Sequence, residues 1–344
     1  MLMKKFLFWI PLVSFMLSSL NIHAENNFPE HFDSLGPTVK SFTNIEKKTI
    51  NYIDDGNING TPVILLGGLG TSVRAIRLLD FLRTMREQLN IRLISVERNG
   101  FGQTPFNPNH NMNTYVQDVI NVLDYLEISE FSLFGISGGG PYAAKIASLY
   151  PGRITSIHMA ATAPVLGTKE RCENGQINNI YKDILRFPMQ FFAFPDTSEL
   201  HQLDGFQDTA FDEAARAHYL HGQMANSQAL DHELTLYCNE GVIDTSNINI
   251  PVYVYVGLAD PLLIGEDIND WDTVYPKAKI IKRTYPKERH DVQYRHLDQI
   301  LMDIKNKDTS VLICKDGINT MINDYDVDRI LSANATLGLC LWNH

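Results

Sequence analysis

Residues 131–149, FSLFGISGGGPYAAKIASL, decide the fold, because an extended apolar run changes into a helical pattern at a single serine. Phe131 to Phe134 is a short apolar segment suited to a buried strand, and Pro141 to Leu149 has helical spacing opened by a proline. Between them lies Gly135-Ile136-Ser137-Gly138-Gly139, a G-x-S-x-G sequence followed by the small residues Gly140, Ala143 and Ala144. A serine at such a strand-to-helix junction sits in a sharp turn with its hydroxyl exposed, and the glycines let neighbouring backbone approach. A glycine-rich junction can also cradle a phosphate, but the Lys-Ser/Thr pair of a P-loop and the G-x-G-x-x-G spacing are both missing.

The same alternation extends outward. Residues 38–53 form alternating segments suited to a hairpin, and Pro62 to Leu66 and Ile91 to Val96 read as strands. Residues 72–88 read as a helix capped by Ser72, and Thr114 to Leu126 as another. Ile154 to Met159, Val252 to Val256 and Lys279 to Arg283 read as further strands, with a helix over residues 291–304. Strands alternating with helices predict an α/β fold, with a mostly parallel central sheet flanked by helices. The rhythm breaks over residues 165–248, which read as an inserted helical cap. The expected organisation is thus a leader over 1–24, core over 25–164, cap over 165–248, core again over 249–307, and a C-terminal extension over 308–344.

The chain here resembles the α/β-hydrolase superfamily, in its branch with a helical cap after the sixth strand. The resemblance covers roughly residues 45–305. It rests on Leu66-Gly67-Gly68-Leu69-Gly70, Glu97-Arg98-Asn99-Gly100-Phe101-Gly102, Gly135 to Gly139, Gly257-Leu258-Ala259-Asp260 and His290. It implies a catalytic triad in the chain order serine, acid, histidine. Ser137 is the nucleophile. Asp260 is the acid, because the loop after the sixth strand, Ala160-Ala161-Thr162-Ala163-Pro164, holds no carboxylate. Glu266 is the alternative acid. His290, just before the last helix, is the base. His296 lies within that helix and His158 within a strand, where both read as packing residues.

The resemblance also assigns the oxyanion hole to the backbone N–H groups of Leu69 and Gly138. One departure is Gly67-Gly68 where the family often has His-Gly. Glu97 to Gly102 reads as a turn bracing the rim of the site, with glutamate in place of the usual aspartate. The implied chemistry is cleavage of a small-molecule carboxylic ester through an acyl-enzyme. An amidase or peptidase, a carbon–carbon hydrolase, a cofactor-free haloperoxidase and a non-catalytic binding protein are the alternatives on this scaffold. Dehalogenase and epoxide-hydrolase chemistry need an aspartate where Ser137 stands.

Composition bounds the rest. Lys and Arg number 29 against 40 Asp and Glu, a formal charge of −11, which disfavours nucleic acid and anionic membranes as partners. Lys4 and Lys5, the apolar stretch from Phe6 to Leu20 and the small residue Ala24 read as a cleavable export signal. Pro11 interrupts that stretch, which is shorter than the ~20 residues of a spanning helix, so no stable membrane anchor is expected. No cofactor is expected, and no metal: His218 and His221 are spaced three apart but lack a third ligand. An oxidising compartment favours disulfides. Of the three pairings open to four cysteines, the expected one joins Cys172 to Cys238 across the cap and Cys314 to Cys340 within the extension, with four buried free thiols as the alternative.

Overall fold

Strands that are apolar on both faces need cover on both sides of the sheet, and helices supply it. The computed structural model describes residues 36–164, 222, 226–239, 243–260, 262–263, 270–305, 310–331 and 333–342. The main sheet has eight strands: β1 (Lys40–Thr43), β2 (Thr49–Asp55), β3 (Thr61–Leu66), β4 (Ile91–Val96), β5 (Phe131–Ile136), β6 (Ile154–Ala160), β7 (Pro251–Gly257) and β8 (Lys279–Tyr285). Their order is β1-β2-β4-β3-β5-β6-β7-β8. The β1–β2 hairpin joins the edge antiparallel, and every pairing from β4 onward is parallel.

Alternate residues of one strand serve two cores. Val63 and Leu65 of β3 face one, and Ile64 and Leu66 face the other. In β7, Tyr253 and Tyr255 join the first, and Val252, Val254 and Val256 the second. Burial on both sides is why these strands read as continuous apolar runs. Helices α1 (Arg83–Gln88), α2 (Met112–Tyr125) and α3 (Gly140–Leu149) connect the strands up to β6, and α4 (Ser227–Asn239) precedes β7. After it come α5 (Asp270–Val274), α6 (Val292–Arg295) and α7 (Leu297–Lys305).

Two expected helices differ in form. Over residues 72–88 the first ten helical residues, Val73–Leu82, wind as a 3₁₀ helix before α1 begins. The tighter turn stacks Val73, Ile76 and Leu79 three apart onto the sheet, where all three are buried. Ser72 makes no side-chain cap there; its hydroxyl is buried without a hydrogen-bond partner among the described residues. The helix expected over residues 291–304 breaks at His296, between α6 and α7. The ring of His296 turns inward and stacks on Tyr285 at 3.6 Å between centroids.

The segment after α7 folds as a second, three-stranded sheet. It contains β9 (Ser310–Lys315), β10 (Ile318–Asn323), α8 (Val327–Leu331) and β11 (Ala335–Leu337), in the order β10-β9-β11. Val311, Ile313, Val327, Ala335 and Leu337 share one core with Leu297, Ile300, Leu301 and Ile304 of α7. Arg283 on β8 pairs with Asp324 at 2.6 Å, and Gln299 on α7 receives the Leu312 amide at 2.9 Å. Cys314 and Cys340 form a disulfide, as expected. Cys238 is also disulfide-bonded, while Cys172 lies outside the described residues. The leader over 1–24, most of the expected cap, and His218, His221 and Glu266 lie outside them as well.

His158 on β6 is a satisfied core histidine. Tyr255 donates to Asp303 at 2.8 Å, so it accepts from His158 Nδ1 at 3.1 Å, and His158 Nε2 accepts from the Ser156 hydroxyl at 2.9 Å. Burial pushes its imidazole down to about 3. A base with a depressed folded pKa stabilises fully above its unfolded value and loses that stability as pH falls below it. His158→Gln should therefore flatten the acid side of the stability curve. Between pH 7 and pH 5 the wild type should lose about 2 kcal/mol more than the variant in urea unfolding; parallel curves would contradict this. Replacing Cys314 and Cys340 together by Ala should cost about 3 kcal/mol, given their separation of 26 residues, read from the urea midpoint. An unchanged midpoint would show that packing alone holds β9 to the chain end.

Candidate active site

Ser137 follows β5 directly and sits at φ +49°, a left-handed conformation uncommon for a residue with a Cβ. The turn is held by backbone crowding on either side. A Cβ added at Gly139 would lie 1.9 Å from the Leu66 carbonyl oxygen, and one at Gly135 would lie 3.3 Å from Ala143 Cβ. Gly139 is needed for β3, β5 and α3 to meet at the elbow, and at Gly135 α3 packs tightly against β5. The serine side chain is left partly exposed at the C-terminal edge of the parallel sheet.

The two other expected residues arrive from strands two and three places along the sheet from β5. Asp260 follows β7 and His290 follows β8. Their loops are stitched together by the Leu258 amide to the Tyr285 carbonyl at 2.9 Å and the Ala259 amide to the Glu288 carbonyl at 3.0 Å. Gly257 allows that approach, since a Cβ there would lie 2.4 Å from the Glu288 oxygen. His290 Nδ1 lies 2.8 Å from Asp260 Oδ2, and Nε2 lies 2.9 Å from Ser137 Oγ. The carboxylate can only accept, so Nδ1 carries the proton and Nε2 of the neutral ring accepts from the serine hydroxyl. Asp260, 2% exposed, keeps its other oxygen on the Leu262 amide at 2.9 Å. His296, the other late histidine, is spent on Tyr285 and lies against Gly338, where a Cβ would come within 2.5 Å of its ring.

Across Ser137 runs the loop after β3. A Cβ at Gly68 would lie 3.4 Å from Ser137 Cβ, and one at Gly138 would lie 2.8 Å from the Leu69 nitrogen. The amides of Leu69 and Gly138 are thus neighbours beside the serine. Arg98 donates to the Gly68 carbonyl and pairs with Glu233 of α4 at 2.6 Å, while Glu233 accepts the Gly70 amide at 2.7 Å. Tyr237, one turn further along α4, donates to the Gly138 carbonyl at 2.7 Å. Burial works against the Arg98 charge, but the Glu233 carboxylate outweighs it and the guanidinium is held above its ordinary pKa. The Tyr142 phenol beside them is pushed up, by burial first and then by Glu233. Sequence reading does not find Arg98, Glu233 or Tyr237: Glu233 lies 135 positions beyond Arg98, with no spacing rule to connect them.

The Glu97 to Gly102 turn is a brace. Glu97 accepts from the Gln103 amide at 2.8 Å, the Thr104 hydroxyl at 3.0 Å and Asn51 Nδ2 at 3.3 Å. Burial raises its pKa against those bonds. Among the described residues, no group of three or more His, Cys, Asp or Glu is placed to hold a metal.

No family model matches the chain. A poly(3-hydroxyalkanoate) depolymerase of Ectopseudomonas oleovorans is 27% identical over 103 residues, which is 30% of this chain and 35% of that protein. The chain therefore spans only about a third of this relative's length. An alpha/beta hydrolase fold protein from Chitinophaga pinensis superposes with a TM-score of 0.59 at 20% identity, over 80% of this chain and 98% of that one. An esterase from Exiguobacterium antarcticum gives 0.57 at 15% identity, over 78% and 98%. At such identities the likeness is one of fold, and it agrees with the strand order described above.

The crowding at the elbow makes a testable contrast between two glycines. Gly139→Ala should cost roughly 3 kcal/mol or leave no folded protein, because the obstruction is backbone. Gly152→Ala, with nothing within 4 Å of the added methyl, should stay within about 0.5 kcal/mol of wild type in thermal unfolding. Equal stability of the two variants would show that the elbow relaxes freely.

Proposed function

We propose that this chain, a member of the α/β-hydrolase superfamily by fold, is an exported serine hydrolase of small to medium carboxylic esters. The observation that carries the reading is the unbroken path from Ser137 Oγ through His290 to Asp260, with contacts of 2.9 and 2.8 Å. A serine hydroxyl is a weak nucleophile until a positioned base takes its proton. His290 Nε2 takes that proton as Ser137 Oγ bonds to the ester carbonyl carbon, and the carbonyl π pair moves onto oxygen. Asp260 keeps the ring in the correct tautomer and stabilises the imidazolium.

The developing oxyanion is held by the amides of Leu69 and Gly138, each such donor being worth about 3 kcal/mol in transition-state stabilisation. Collapse of the tetrahedral intermediate re-forms the carbonyl and breaks the bond to the alcohol oxygen, which leaves with the proton from His290. Water then repeats the sequence on the acyl-enzyme, giving the acid and restoring Ser137. The ester assignment is supported by the esterase among the structural neighbours and by the partial likeness to a polyester depolymerase. Export is supported by the basic and apolar N-terminal sequence and by the Cys314–Cys340 disulfide, since such bonds persist in oxidising compartments.

The test is hydrolysis of p-nitrophenyl esters from acetate to palmitate, beside amide and peptide controls. Ser137→Ala and His290→Ala should each lower turnover by at least ~10³-fold with folding intact, because the three residues act as a unit. Asp260→Asn should be severe but milder. Loss of activity in His296→Ala with His290→Ala still active would refute the base, and cleavage of amides alone would refute the ester.

A further inference from the structure

Helix α4 returns the chain from the insertion to the sheet, and two residues one turn apart on it reach the loops beside Ser137. We infer that Glu233 and Tyr237, with Arg98, are positioning residues that aim the oxyanion donors, so that the donors are aligned only while α4 is docked. The inference rests on the reading of Ser137 as nucleophile, and it concerns residues which that reading does not use.

Peptide geometry links each donor to the carbonyl before it. All described peptide bonds are trans, so within one unit the C=O and the N–H point in opposite directions. The amide of Leu69 belongs to the same unit as the carbonyl of Gly68, and Arg98 donates to that carbonyl. Gripping the oxygen from one side turns the Leu69 N–H to the other. The amide of Gly138 shares a unit with the carbonyl of Ser137, which accepts from the Gly140 amide, so it is aimed in the same manner. The next carbonyl, that of Gly138, accepts from Tyr237 at 2.7 Å, which fastens the turn from the α4 side.

Glu233 ties the set together. One of its oxygens lies 2.6 Å from Arg98, and the other takes the Gly70 amide at 2.7 Å. The unit carrying the Leu69 N–H is therefore held at its own carbonyl by Arg98 and at the next amide by Glu233. Both side chains are buried, Glu233 to 3% exposure, so the pair works in a medium of low polarisability where a shift of either charge is costly. Gly138 belongs to the same device: a Cβ there would lie 2.6 Å from the Tyr237 hydroxyl and 2.8 Å from the Leu69 nitrogen. The absent side chain is what lets α4 and the β3 loop close on the elbow together.

A structural ion pair and a positioning pair differ in what they change. Loss of a purely structural pair reduces the fraction of correctly folded enzyme, whereas misaimed donors slow the step in which oxyanion charge develops. The experiment is ester hydrolysis by the full chain, with rates normalised to active sites counted by fluorophosphonate titration. Its variants are Tyr237→Phe, Glu233→Gln and the double replacement Arg98→Met/Glu233→Leu. The double variant removes both buried charges and so avoids leaving one unpaired, which is the change that would threaten folding.

Per titrated site, Glu233→Gln and the double variant should lose about 10- to 100-fold in kcat with KM within threefold, the size expected of a small misplacement. Affinity for an alkyl boronic acid, which forms a tetrahedral adduct on the serine, should fall by the same factor. Tyr237→Phe should fall about threefold to tenfold. A double variant with wild-type kcat per site would overturn the inference, and so would a loss carried entirely by KM or by the site count. If the wild type neither takes up the fluorophosphonate nor cleaves esters, the hydrolase reading itself fails and this inference with it. A wild type that does both, beside unaffected variants, removes the positioning role alone.

Discussion

A residue with a Cβ held at φ +49° tolerates that conformation only where its surroundings over-determine it, at a cost of about 1–3 kcal/mol. At Ser137 the surroundings are three segments of backbone in near contact. β5 ends there, α3 begins there, and the Leu66 carbonyl of β3 fills the space where a side chain on Gly139 would go. The other parts of the site are arranged around this turn. The parallel register of β5, β6, β7 and β8 carries the chain to one edge, where the loops after β7 and β8 deliver Asp260 and His290. The β3 loop then closes from the opposite side, over Gly138. Strain at the serine is thus offset by burial elsewhere and used to project a hydroxyl into solvent.

Local chemistry decides which of these parts can be read without coordinates. Ser137 is legible because glycines bracket it between two periodicities. Asp260 is legible because the loop after β6 offers no carboxylate, and His290 because it stands between a strand and the final helical stretch. His158 reads correctly as core, and in the fold it is sealed between Ser156 and Tyr255. The winding of residues 73–82 is not legible, since Val73, Ile76 and Leu79 suit a period of 3.0 as well as one of 3.6. Nor does the resemblance extend to the second sheet, because it ends near residue 305. The β9–β10 hairpin nonetheless carries an open signal: Asp316 and Gly317 both sit at positive φ, as a two-residue turn requires.

The least legible contact is the one with the widest consequences. Arg98 and Glu233 are buried charges of opposite sign, and their meeting depends on how α4 packs beside the loop after β4. A buried pair is seldom a large net source of stability, since desolvation offsets much of the attraction. Its value here is directional. It fixes which way two peptide units of the β3 loop face, and it does so from α4, the helix that precedes β7.

In the proposed chemistry Ser137, aligned by His290 and Asp260, delivers a tetrahedral oxyanion to the amides of Leu69 and Gly138. The most direct measurement is a crystal structure of the protein inactivated by an alkyl fluorophosphonate. The account predicts a covalent bond from Ser137 Oγ to phosphorus, with the phosphoryl oxygen about 2.7–3.1 Å from both amide nitrogens. An adduct on another residue, or a phosphoryl oxygen turned to solvent away from Leu69 and Gly138, would contradict it.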